Sequence, residues 1–104
     1  RFPAANGLKV PQTGWNEIYD LRSPLCNGLA EHAYVYYNHG YYAPLCEHTV
    51  AKTDYGLEYS AMLRKGNFHA AQFHAEISSN VGARILENFL ALVPIQNSEF
   101  IILN

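Results

Sequence analysis

The chain has 104 residues, 49% of them hydrophobic, and a formal net charge of −2 from 7 basic and 9 acidic side chains. That size suits one small domain, and the scattered basic residues give no nucleic-acid footprint. No apolar run approaches the ~20 residues of a membrane helix, and no signal peptide is visible. Two cysteines, Cys26 and Cys46, do not mark a secreted disulfide scaffold, so a reduced, cytoplasmic compartment is expected. The chain opens on Arg1-Phe2-Pro3 without a Met, which fits a truncated protein, although processing leaves the same trace.

Residues 1–7 read as a loop broken by Pro3 and Gly7. Residues 8–10 and 17–21 look extended, separated by a Pro-x-x-Gly-Trp-Asn turn at 11–16. Ser23-Pro24 opens a short helical turn closing at Gly28, with the hydroxyl as cap and Pro at the first position. Residues 33–37 are aromatic and β-branched, as in a pleated, half-buried strand ended by Asn38-His39-Gly40. Further strands are expected at 48–53, 58–64 and 68–74, with turns at Tyr55-Gly56 and Lys65-Gly66-Asn67. One long helix follows. Ser78 or Ser79 caps it, Val81, Ile85, Leu86, Phe89, Leu90 and Val93 mark its apolar face, and Pro94 ends it. Gly82 lies inside, at a cost of about 1 kcal/mol relative to Ala. The tail holds an apolar run, Phe100-Ile101-Ile102-Leu103, whose partner the pattern does not reveal. The expected fold is α/β, a mixed sheet with one long C-terminal helix, in a single domain.

Chemistry is most readable in Gln72-Phe73-His74-Ala75-Glu76. If the strand persists, alternation puts Gln72, His74 and Glu76 on one side. A carboxylate beside an imidazole fixes its tautomer and stabilises the imidazolium, which suits a general base acting on a Cys or Ser supplied from elsewhere. A surface or packing pair leaves the same pattern. In the second segment, residues 36–42, Gly40 lets backbone approach a ligand and the tyrosines wall a pocket. An aromatic strand packed on the helix reads equally well there.

No metal site is expected. His32, His39, His48, His69 and His74 show no paired spacing such as His-x-x-x-His. Neither Cys26 nor Cys46 follows an apolar strand at a Gly-flanked turn, and Glu47 beside Cys46 disfavours a thiolate. Both thiols are expected to be inert.

Several segments resemble, in order and spacing, the glutaminase subunits of imidazole glycerol phosphate synthase, a family of class I glutamine amidotransferases. They are Val10-Pro11-Gln12-Thr13-Gly14-Trp15-Asn16-Glu17, the stretch 36–44, Thr53-Asp54-Tyr55-Gly56, Ser60-Ala61, and Arg64-Lys65-Gly66-Asn67-Phe68. Gln72-Phe73-His74-Ala75-Glu76, Ser78 and the helix bearing Leu86, Phe89 and Leu90 complete the set. The likeness spans roughly residues 8–92 and leaves the tail, 94–104, unassigned. His-x-Glu alone marks only the class; Gly-Trp-Asn and Asp-Tyr-Gly narrow it to this family.

This resemblance implies the C-terminal half of the amidotransferase fold. It implies His74 as the catalytic base, Glu76 as the carboxylate that orients it, and Gly40 and Tyr41 at the glutamine site. The nucleophile Cys would come from the missing N-terminal half, since no Gly-x-Cys-x-Gly elbow occurs in the chain. Ammonia would pass to a (βα)8-barrel synthase partner in a heterodimer, with Pro11, Gly14, Trp15 and Tyr41 facing that partner and no cofactor required. On its own the chain is expected to be inactive. Ala75 stands where the family usually has Pro, Ile77 where a basic residue often pairs with the partner, and Gln12-Thr13 where His-Met is usual. Two other readings stay open. One is a different class I amidotransferase, of the carbamoyl phosphate synthase small-subunit type, which Asn38-His39-Gly40-Tyr41 also resembles; the other is a non-catalytic binding module on this fold.

Overall fold

A computed structural model describes residues 11–92 and 98–103. The expected loop at 1–7, the strand at 8–10, and the roles of Val93 and Pro94 lie outside the described residues.

Period-two burial builds the sheet. In β2 (Ala33–His39), Ala33, Val35, Tyr37 and His39 are buried while Tyr34 and Asn38 face solvent. β1 (Gln12–Tyr19) lies antiparallel to it, from Gln12 opposite His39 to Ile18 opposite Ala33. β3 (Thr49–Asp54), β4 (Glu58–Lys65) and β5 (Phe68–Ala71) continue the antiparallel pairing. Gly66, at φ +60°, takes the first position of the two-residue loop between β4 and β5, where a side chain would be strained. The 3-10 turn Pro24–Cys26 forms as expected, with the Ser23 hydroxyl accepting from the Leu25 amide.

Residues 11–16 depart from the expected turn. Pro11 is a bend just outside the sheet, and residues 12–16 form the first half of β1, because the neighbouring strand β2 pairs with them. The Gly14 signal was real but local: Gly14 sits at φ +120° inside the strand and distorts it without ending it.

The tail also finds its place. β6 (Glu99–Ile102) pairs parallel with β5, giving the strand order β2-β1-β3-β4-β5-β6 among the described residues. Between these parallel strands runs α1 (Ser79–Leu92), the crossover that parallel pairing requires. Ile85 is fully buried, with Val81, Leu86 and Phe89 partly so, but Leu90 is 65% exposed. The apolar stripe is therefore narrower than expected, and Leu90 lies beyond its edge. Beneath α1 the core holds Ile18, Val35, Tyr37, Tyr59, Met62, Phe73 and their neighbours.

The sheet curls strongly. The chain leaving β5 meets β2, at the far end of the strand order, and the His74 amide donates to the Tyr36 carbonyl at 2.9 Å. This closure brings the His74 segment next to the β1–β2 ribbon.

Candidate functional site

β5 ends at Ala71 rather than continuing to residue 74. Phe73 turns fully into the core, and the chain then winds into a 3-10 turn, Ala75–Ile77, with His74 at its cap position. His74 and Glu76 thus meet through a helical turn and not through strand alternation. Nδ1 of His74 lies 2.7 Å from Oε1 of Glu76, with His74 about a quarter exposed and Glu76 about half. The carboxylate can only accept, so Nδ1 carries a proton, and in the neutral ring Nε2 is the nitrogen with the lone pair. Gln72 does not join them. It is buried, its Oε1 accepting from the Ala43 amide and its Nε2 donating to the Leu103 carbonyl, each at 3.1 Å.

Ser78 and Gly82, which showed no chemistry in the sequence, fix the turn. The fully buried Ser78 hydroxyl donates to the His74 carbonyl at 2.6 Å and accepts from the Tyr36 amide at 2.9 Å. It does not cap the helix with its side chain; its carbonyl accepts from the Gly82 amide at 3.1 Å. A Cβ on Gly82 would lie 1.9 Å from the Ala75 carbonyl oxygen, so α1 packs directly on the turn that carries His74 and Glu76 only because residue 82 has no side chain. The one sequence signal for this was a glycine inside a strongly helical pattern.

Across from His74, the stretch 39–43 is anchored by a buried polar cluster. Nδ1 of His39 donates to the Tyr41 carbonyl. Its Nε2 lies 2.9 Å from Gln12 Oε1 and 3.0 Å from the Tyr59 hydroxyl, which itself donates to Gln12 Oε1 at 2.6 Å. Burial holds the His39 imidazole below its ordinary range and nearby His74 adds to this, while the bond to Tyr41 opposes both. Gly40 and the 60% exposed Tyr41 follow this anchor. Tyr41, Tyr42, Ala43, Gln72 and Leu103 line an open cavity of about 180 Å³, so the second candidate segment and the His74 segment share Gln72 as a bridge.

Trp15 is 54% exposed, on a strand rather than on a turn, with its ring edge-to-face against Tyr36 at 6.0 Å. Pro11 is exposed and Gly14 half-buried nearby. Both cysteines are free. Cys26 is buried against Met62 and burial pushes its thiol up to about 11, so it is held as the unreactive thiol. Cys46 is exposed, beside Glu47 and His48. Among the described residues, no three His, Cys, Asp or Glu side chains gather as metal ligands, and no helix is long and apolar enough to cross a membrane.

No protein-family model matches the chain. The imidazole glycerol phosphate synthase subunit HisH of Shewanella loihica is 49% identical over 88 residues, covering 85% of this chain and 39% of that protein. HisH of Bacteroides thetaiotaomicron is 49% identical over 90 residues, 86% of this chain and 46% of its own length. The chain is a HisH homologue over most of its length. HisH of Vibrio cholerae, at 41% identity over 93 residues, covers 88% of this chain and 46% of itself. The chain therefore spans less than half the length of these HisH relatives. The solved structure of a provisionally assigned GMP synthase component from Thermoplasma acidophilum superposes with a TM-score of 0.67 at 21% identity. It covers 82% of this chain and 45% of that one, and the likeness places both in one α/β fold.

Proposed function

We propose that this chain contributes the proton-handling half of a glutamine amidotransferase active site, serving imidazole glycerol phosphate synthesis in histidine biosynthesis. The reading is carried by one observation: Nδ1 of His74 is bonded to Glu76 at 2.7 Å, directly after β5, in a chain whose curated relatives are HisH subunits. Glu76 holds the tautomer, and Nε2 is left to take the proton of a thiol. That thiol belongs to the part of HisH that this chain does not match. The thiolate attacks the glutamine carboxamide carbon, the C–N bond breaks, and the His74 imidazolium returns its proton to the leaving nitrogen, releasing ammonia. Water activated by His74 then cleaves the thioester to glutamate.

Gly40 and Tyr41 are assigned to the glutamine site, since His39 fixes the Tyr41 carbonyl and the cavity opens beside it. Pro11, Gly14, Trp15 and Tyr41 are assigned to the face toward a (βα)8-barrel synthase partner, in a cytoplasmic heterodimer; exposed aromatic anchors suit such contacts. In the full-length protein with its barrel partner, His74→Ala should cut glutamine-dependent synthesis by roughly 10²–10⁴-fold and leave synthesis from added ammonia intact. Glu76→Gln should give a smaller loss. If both rates fell together, His74 would be structural. Ammonia release from glutamine by residues 1–104 alone would overturn the assignment of the thiol.

A further inference from the structure

The stretch 39–43 is held at its far end by main-chain contacts. The Ala43 amide donates to Gln72 Oε1 at 3.1 Å, and the Ala43 carbonyl accepts from the Ser60 amide at 2.9 Å. The Tyr41 carbonyl, beside the cavity proposed for glutamine, depends instead on the His39 ring, whose Nδ1 donates to it. A neutral histidine can do this only with its proton on Nδ1. What keeps the proton there lies on the other side of the ring.

Three polar atoms converge on that side. His39 Nε2 is 2.9 Å from Gln12 Oε1 and 3.0 Å from the Tyr59 hydroxyl, and that hydroxyl is 2.6 Å from the same Oε1. With Nδ1 protonated, the neutral ring offers a lone pair at Nε2, and Oε1 can only accept. Of the three atoms, only the Tyr59 oxygen carries a hydrogen. Burial first, then Tyr37 and Tyr55, hold its phenol well above the ordinary range, so the hydrogen stays on it. Donated to Oε1 and shared with Nε2 as a three-centre bond, this hydrogen shields one acceptor from the other. The Tyr59 ring is fully buried on β4 and packs 5.7 Å, centre to centre, from both His39 and Tyr42, which keeps the hydroxyl aimed.

Without that hydrogen the balance reverses. Oε1 and the Nε2 lone pair then oppose each other at 2.9 Å in a buried site. Moving the ring proton from Nδ1 to Nε2 relieves them, because Nε2 then donates to Oε1. The same move turns a lone pair on the Tyr41 carbonyl and releases it. The imidazolium, which would donate on both sides, is disfavoured by burial and by nearby His74.

We propose that Tyr59 is a positioning residue for the glutamine site, its hydroxyl locking His39 in the tautomer that holds the Tyr41 carbonyl. The proposal rests on the function proposed above and adds to it a residue of β4 that acts only through His39. Gln12 is the acceptor that makes the lock necessary. Once Oε1 is gone, nothing on that side draws the ring proton across.

The test reads two quantities in the full-length protein. One is the His39 tautomer, from imidazole nitrogen shifts of isotopically labelled histidine at about pH 8, where the ring is neutral. The other is KM and kcat for glutamine with the barrel partner present. The wild type should carry its proton on Nδ1. Tyr59→Phe, which keeps the ring and its packing, should move the proton to Nε2 and raise KM roughly 5- to 10-fold, with kcat changed by no more than about twofold. Adding Gln12→Leu to Tyr59→Phe should return the proton to Nδ1 and KM to within about twofold of wild type. A merely structural role predicts the opposite order, with the double variant worse than the single. A proton that stays on Nδ1 in Tyr59→Phe would overturn the proposal, as would a double variant no better than the single. The expected tautomers with an unchanged KM would overturn the positioning role and take Tyr41 out of the glutamine site. The expected tautomers in a wild-type protein that hydrolyses no glutamine would support the lock and sink the catalytic reading instead.

Discussion

His39 and His74 lie close enough to influence each other, yet their surroundings set them to opposite tasks. His39 is 4% exposed, with Nδ1 donating to the Tyr41 carbonyl and Nε2 packed within 3.0 Å of Gln12 Oε1 and the Tyr59 hydroxyl. Such a ring is a fixture; to titrate it would need to disturb the strands around it. His74 is held just as firmly, but through its backbone: its amide bonds to Tyr36 and its carbonyl to Ser78. The ring is thereby left with one nitrogen on Glu76 and the other open. A site of this kind comes from satisfying the main chain completely and the side chain only in part.

The difference can be broken most severely at Gly82. Gly82→Ala drives a methyl into the Ala75 carbonyl, and should destabilise the chain by roughly 3 kcal/mol, read as a fall in the denaturation midpoint. A near-neutral result would mean that α1 does not press on the turn. Ser78→Ala should cost about 2 kcal/mol, because it strands the Tyr36 amide and weakens the hold on the His74 carbonyl. Under the proposed function, the same change in the full-length protein should also lower glutamine-dependent turnover, whereas Ser78→Thr should restore part of it; equal loss from both would assign Ser78 to packing alone.

At His39 the effect is a smaller one of pH. Its folded-state affinity for protons lies below that of the unfolded chain, so its stabilising contribution is complete above the unfolded value of ~6.5 and is lost as pH falls through the folded value. Urea midpoints should drop between neutral and mildly acidic pH, and His39→Gln should flatten that part of the profile; an unchanged slope would remove His39 as its source. The smallest effect belongs to Trp15, on the same ribbon but facing solvent. Trp15→Ala should alter stability by no more than about 0.5 kcal/mol, and acrylamide should quench the wild-type indole readily; a protected indole would place Trp15 in the core.

Short-range chemistry decided what the sequence alone could determine. Lys65-Gly66-Asn67 had to turn, because the tight loop asks for a backbone that Gly accepts, and the spacing of Val81, Ile85, Leu86 and Phe89 had to be a helix with one buried side. The aromatic and β-branched run made 33–37 a strand, which the structure extends to His39, and His74 and Glu76 were visible as a pair because only Ala75 stands between them. Tertiary structure decided the rest. Only the pairing partner β2 could turn Gln12–Asn16 from an apparent turn into strand, since a backbone donor has no preference among acceptors until one is fixed beside it. Only the curl of the sheet brought Tyr36 to Ser78 across 42 positions, and only the contact with Ala75 made Gly82 indispensable. The apolar tail, 100–103, read as sticky but aimless, because an exposed edge accepts any extended strand and the sequence of that strand does not name the edge.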